Sequence, residues 1–136
     1  MELVLVRGLP GSGKSHYAIN TFLDHIIIEP DHIVTAVTGE YLYRSDIWEG
    51  ALDMVYKLVD VALSQNKDVV VADVFCRVKE VDQYRDLAEF YGCQFNVVCV
   101  FGDRGNIHGV PYTVYKRMLN DFEYYPGQTQ INNGGE

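Results

Sequence analysis

The stretch VRGLPGSGKS, residues 6–15, limits the possible fold more than any other part of the chain. Gly8, Gly13, Lys14 and Ser15 satisfy the pattern G-x-x-x-x-G-K-[ST], and the flanking sequence supplies the context that pattern requires. Residues 3–6 form an unbroken run of branched apolar side chains, as expected of a strand buried on both faces of a parallel sheet. After Lys14 the pattern becomes helical, with Tyr17, Ile19 or Asn20, and Phe22 or Leu23 at turn spacing. A strand that passes through a glycine loop into a helix turns its backbone N–H groups inward. With the positive helix end and a mobile lysine, it makes a cradle for phosphates. The expected nucleotide contacts are Gly8, Pro10, Gly11, Ser12, Gly13, Lys14 and Ser15, with His16 at the helix start beside them. Ser15 is the expected hydroxyl ligand to Mg²⁺.

The rest of the chain alternates strand and helix. Residues 33–37, after a turn at Pro30, read as a second strand. A helix is predicted from Ser45 and Asp46 to about Gln65, with Ile47, Met54 or Val55, Leu58 and Ala62 inward. Residues 68–73 and 94–101 read as buried strands. Between them lies a helix that carries Val78, Val81, Tyr84 and Tyr91 on one face and stops at Gly92. Pro111 suits the first position of a last helix, with Val114, Met118, Leu119 and Phe122 inward. The predicted fold is an α/β three-layer sandwich of the P-loop NTPase type, with a mostly parallel sheet of four to five strands and helices on both faces. Residues 1–124 would form this domain, and the polar, glycine-rich residues 125–136 a loose tail.

Asp73, at the end of the strand VVVAD, is the candidate second Mg²⁺-linked acid, whereas Asp68 opens the same strand at the wrong edge of the sheet. The net charge of −8 disfavours a sequence-independent grip on long nucleic acid, yet leaves room for a local basic pocket that holds a strand end. The apolar runs are too short to span a membrane, and the N-terminus does not read as a secretory signal. Cys76, Cys93 and Cys99 lack metal-ligand spacing and read as free thiols, which suits a reducing cytoplasm.

Taken together, GLPGSGKS, VVVADVF and DRGNIHGVPYTVYKRMLNDFE resemble small P-loop kinases of the polynucleotide 5′-kinase type. The likeness is greatest to the branch that holds the kinase domain of NEDD4-binding proteins and many phage AAA ATPases. It covers residues 1 to about 124, and the segment Asn106-Ile107-His108-Gly109-Val110-Pro111 is its narrowest signature. The resemblance implies ATP and Mg²⁺ as cofactors and a 5′-hydroxyl end of DNA or RNA as acceptor. It also implies that Arg104 is a lid arginine, able to stabilise charge on the transferring group. Asn106 and His108 lie in the same segment, and Arg117 follows on the last helix within reach of the nucleotide.

The chain departs from that family after the second predicted strand, where a paired-acid motif supplies the base for the attacking hydroxyl. In TAVTGEYLYR, Thr35 and Ala36 fit, but Val37 and Thr38 stand in the acid positions, and Leu52 replaces a histidine. Glu40 is the preferred substitute base, ahead of Asp46 and Glu49, and Tyr41, Tyr43 and Trp48 are candidate stacking platforms for an acceptor base. Three functions compete: a polynucleotide kinase, a kinase of a small hydroxyl compound, and a nucleotide-binding module without transfer chemistry.

Overall fold

The computed structural model describes residues 1–39, 45–102 and 111–132. Among these, five parallel strands form one sheet in the order β2-β3-β1-β4-β5: β1 (Glu2–Arg7), β2 (Ile26–Ile28), β3 (Val69–Asp73), β4 (Gln94–Phe101) and β5 (Thr129–Asn132). The helices are α1 (Lys14–Thr21), α2 (Pro30–Thr38), α3 (Ser45–Ser64), α4 (Val78–Tyr91) and α5 (Tyr112–Asp121). Strand alternation divides the core in two. Leu3, Leu5, Val69, Val71 and Val97 face α3 and α4, which contribute Val55, Val59, Leu63, Val81 and Leu87. Val4, Val6, Val70, Ala72, Val98 and Val100 face Ala18 of α1. The predicted three layers are therefore present, and β1 lies at the centre with its C-terminal end feeding the glycine loop.

Several local expectations are corrected. The second strand is Ile26–Ile28, and residues 33–37 lie inside α2. Pro30 sits at the start of that helix, where its missing N–H costs nothing. The β-branched residues behind it suggested a strand, but burial follows a helical step from Pro30 to Val34, while Val37 is exposed. Thr35 and Thr38 donate their hydroxyls to the carbonyls of Asp31 and Val34 at 2.9 and 2.8 Å, a bond one turn back that helical threonines can form.

The expected loose tail also differs. Residues 129–132 pair in parallel with β4, and Ile131 packs on the sheet face that α1 covers. Leu58 and Leu119, expected inward, are exposed: the buried stripe of α3 runs through Ala51, Val55, Val59 and Leu63, and α5 has no buried residue. The α4 helix ends at Gly92, whose φ of 64° is the left-handed conformation that the sequence predicts there.

Candidate active site

In an open parallel sheet, ligands bind beyond the carboxyl ends of the strands where the connections diverge. Here that place is the end of β1, flanked by β3 on one side and β4 on the other. The loop from Gly8 to Gly13 turns there. Ser12 N–H donates to the Leu9 carbonyl at 3.0 Å, and Gly13 starts α1 with a φ of 90°, which a residue with a side chain rarely adopts. Gly8 is required for a different reason. A Cβ on it would lie 2.7 Å from the Val100 carbonyl on β4 and would collide with Ser12 Oγ. We expect Gly8→Ala to destabilise the fold by about 1–3 kcal/mol, the usual range for overpacking, because the Val100 carbonyl belongs to a strand and cannot yield. Denaturant midpoints of the two proteins measure this directly.

The loop presents Lys14 and Ser15 to a group of acids. Lys14 feels Asp73, Asp31 and Glu29, and burial lowers the pKa of its ammonium against their opposing pull. The Ser15 hydroxyl donates to Glu29 Oε1, and Glu29 is buried at the start of α2, with His32 Nε2 3.0 Å from its other oxygen. Asp73, at the end of β3, accepts the Val74 N–H at 2.8 Å. Burial raises its carboxyl pKa to about 7, although the Val74 N–H and Lys14 act to lower it.

This shift has a definite sign. An unfolded aspartate titrates near 4, so between about pH 4 and pH 7 the folded chain holds one proton more than the unfolded chain. The nucleotide-free protein should therefore lose stability as pH rises through that window. Asp73→Asn should flatten the dependence, as read from urea midpoints taken across it.

These residues fit phosphates and Mg²⁺. Ser12 Oγ is buried without a hydrogen-bond partner among the described residues, so a donor is available inside the loop. Ser15 and Asp73 offer a hydroxyl and one carboxylate, a donor set that suits Mg²⁺, which binds through one or two carboxylates and retains waters and phosphate oxygens. Among the described residues, no group of three histidine, cysteine or acidic side chains could hold a metal by itself.

Gly8, Pro10, Gly11, Ser12, Gly13, Lys14 and Ser15 share one loop and helix start, and Asp73 joins them through Lys14. His16, the next residue, is exposed, with its carbonyl accepting from Asn20 Nδ2 at 2.8 Å. Arg117 is exposed on α5, as are Asp46 and Glu49 on α3. Glu40, Arg104, Tyr41, Tyr43, Asn106 and His108 lie outside the described residues. Asp68 sits at the opposite edge of the sheet, as expected, where it accepts the Glu2 N–H at 2.9 Å.

The paired-acid comparison is corrected with β2. Residues 35–38 follow no strand, and the acids that do follow β2 are Glu29 and Asp31. Sequence reasoning missed both. The available signal was the segment EPD placed directly after three isoleucines.

Two cavities open at the carboxyl end of the sheet. On the β3 side, one of about 130 Å³ is lined by Asp73, Phe75, Trp48, Glu80, Tyr84 and Met118, among others. On the β4 side, one of about 290 Å³ lies against Gly8 and Ser12 and is walled by Phe101, Tyr115, Leu119 and Phe122. A family model for the AAA domain matches residues 3–108. The chain belongs to the AAA domain family.

No curated protein sequence matches this AAA domain. Among solved structures it resembles an inferred kinase from Chloroflexus aurantiacus, with a TM-score of 0.70 and 13% identity over 98% of this chain and 87% of that one. The APS kinase CysC of Mycobacterium tuberculosis, solved with AMPPNP and APS, gives a TM-score of 0.62 at 12% identity, covering 97% and 88% of the two chains. A gluconokinase from Sinorhizobium meliloti gives 0.59 at 19% identity, covering 98% and 82%. At these identities the likeness shows the fold: the five-stranded parallel sheet of this AAA domain is that of P-loop kinases. Among the described residues, no helix is long and apolar enough to cross a membrane.

Proposed function

We propose that this AAA domain is a phosphotransferase that moves the γ-phosphate of ATP to a hydroxyl group. The reading rests on one arrangement: one cavity lies against the phosphate loop at Gly8, Leu9 and Ser12, and a second has in its wall Asp73, the acid that acts on Lys14. The β4-side cavity is mainly apolar and aromatic and suits the adenine ring. The β3-side cavity has a carboxylate at its edge and suits an acceptor. A site that only holds a nucleotide has no need of the second cavity.

In this reading the loop N–H groups and Lys14 bind the phosphates, and Ser15 and Asp73 hold Mg²⁺. The metal, when bound, neutralises charge on the outer phosphate oxygens. Arg104 is the proposed lid arginine that covers the transferring group. The acceptor oxygen forms its bond to the γ-phosphorus as the bond to the β–γ bridging oxygen breaks, ADP departs, and the hydroxyl proton passes to a carboxylate. Asp31 is the acid we propose for that proton, because it stands in the first turn after β2 and acts on both Lys14 and Asp73. Glu40 remains the candidate offered by sequence alone. The resemblance implies a 5′-hydroxyl DNA or RNA end as acceptor, and cytoplasmic location belongs to the same proposal.

Asp31→Asn tests the assignment. General base catalysis is worth roughly 10²–10⁴-fold, so turnover should fall by that order while Mg·ATP still raises the melting temperature. If turnover is unchanged in Asp31→Asn and lost in Glu40→Gln, the base belongs at Glu40.

A further inference from the structure

The β3-side cavity carries information about its occupant. Its walls are rings and apolar groups: Trp48 from α3, Phe75 after β3, Tyr84 from α4 and Met118 from α5. Its polar groups are Asp73, Glu80 and Gln83, and no lysine, arginine or histidine lines it among the described residues. The volume of about 130 Å³ is close to the ~150 Å³ of a cavity known to admit benzene, so it has room for one flat ring.

The wall is held in place rather than collapsed. Tyr84 is almost fully buried and packs edge-on to Phe75 at 5.7 Å and against Tyr56 at 5.4 Å. Phe75 adopts a φ of 49°, a strained value for a residue with a side chain, and its carbonyl accepts from Arg7 Nε at 3.1 Å. Strain supported in this way keeps the ring at the cavity edge.

From this geometry we infer that the acceptor is an uncharged alcohol carrying one flat ring, of nucleoside class, and that the site is built against acceptors bearing a phosphate beside that ring. This inference rests on the phosphotransferase reading and sets a free nucleoside in place of the strand end that the resemblance implies, whose first nucleoside carries a 3′-phosphate. The ring enters between Trp48 and Tyr84, where stacking is tolerant of ring identity. Gln83 at the rim offers both a donor and an acceptor to the ring edge. The hydroxyl then lies toward Asp73, which shares the neighbourhood of Lys14 with the phosphate loop. Asp73 is offset by Lys14 and by the Mg²⁺ it would hold, but a phosphate on the acceptor would also meet Glu80, and no described cation lines the cavity, so like charge there disfavours it.

Trp48 is the only tryptophan in the chain, so its fluorescence reports occupancy of this cavity directly. The experiment titrates the four ribonucleosides and their 3′-monophosphates into the protein saturated with Mg·ADP, which keeps them from the nucleotide side. At least one nucleoside should change Trp48 emission saturably and bind at least tenfold tighter than its 3′-monophosphate. Gln83→Lys, an exposed change that places a cation at the rim, should shrink or reverse that preference without altering Mg·ADP affinity. Equal or tighter binding of the 3′-monophosphate would overturn the inference, and so would an emission unmoved by every nucleoside while Mg·ADP raises the melting temperature. Failure of Mg·ADP and Mg·ATP to bind would instead refute the phosphotransferase reading, and saturable quenching by nucleosides would still establish the cavity as their site.

Discussion

Lys14→Met is expected to leave the fold intact and to reduce phosphoryl transfer by at least ~10²–10³-fold, the usual cost of removing one group aimed at developing charge in a closed site. Methionine keeps much of the length and the apolar stem but removes the ammonium. In the parent protein that ammonium stands among Asp73, Asp31 and Glu29, and burial already lowers its pKa. Nucleotide phosphates and Mg²⁺ would complete this charge cluster, so the lysine matters most when they are bound. Removing it also takes away one of the influences that hold the Asp73 carboxyl down, so that pKa should climb above its present value of about 7. The loss of nucleotide-free stability should therefore continue to higher pH in the variant than in the parent, alongside its loss of turnover. ADP release under saturating ATP and urea midpoints at several pH values test the two effects separately.

Arg7→Ala should cost about 3–5 kcal/mol of stability, combining lost side-chain volume with charge-assisted hydrogen bonds left unmade in the interior. Arg7 ends β1 and is fully buried. Its Nη1 donates to Gln128 Oε1 at 2.9 Å, its Nη2 reaches the Cys76 carbonyl at 3.3 Å, and its guanidinium carbon lies 4.2 Å from the centre of the Phe122 ring. With the Nε bond to Phe75, one side chain thus joins β1, the segment after β3 and the approach to β5. Arg7→Met preserves most of the volume but leaves the same carbonyls unpaired, so it should recover only part of the loss. Amide exchange locates the damage: protection should fall first in residues 129–132 and around Phe75. Uniform loss of protection, or a denaturant midpoint that does not move, would show that Arg7 does not tie these segments together.

The central architecture was legible because its signals were local and strong. The apolar runs of β1, β3 and β4 are long, and the glycine loop has one structural context that suits it. The capping glycine of α4 marks that helix end. The edge strands were not legible. β2 has three residues and is followed by a proline that opens a helix, so the stronger β-branched pattern behind that proline claimed the strand. β5 directs one partly buried apolar residue, Ile131, at the core, and its polar sequence reads as a tail until β4 and Arg7 are seen to hold it.

The site followed the same rule. Asp73 stands out as a candidate because it ends an obvious strand, whereas Glu29 and Asp31 do not, because β2 itself is hard to read from sequence. Arg7 gave no signal, since a lone cation at the end of an apolar run reads as the point where the chain reaches solvent. Its burial depends on carbonyls and a ring that arrive from distant parts of the chain.

The central claim is transfer, and label transfer tests it most directly. The protein is incubated with Mg²⁺ and γ-labelled ATP, with ribonucleosides and 5′-hydroxyl DNA and RNA oligonucleotides offered as acceptors, beside Lys14→Met. The account predicts label on a hydroxyl acceptor with the parent protein and a loss of at least ~10²-fold with the variant. Mg·ATP that raises the melting temperature yet leaves every acceptor unlabelled would contradict it, and would make the phosphate loop of this chain a holder of nucleotide rather than a donor site.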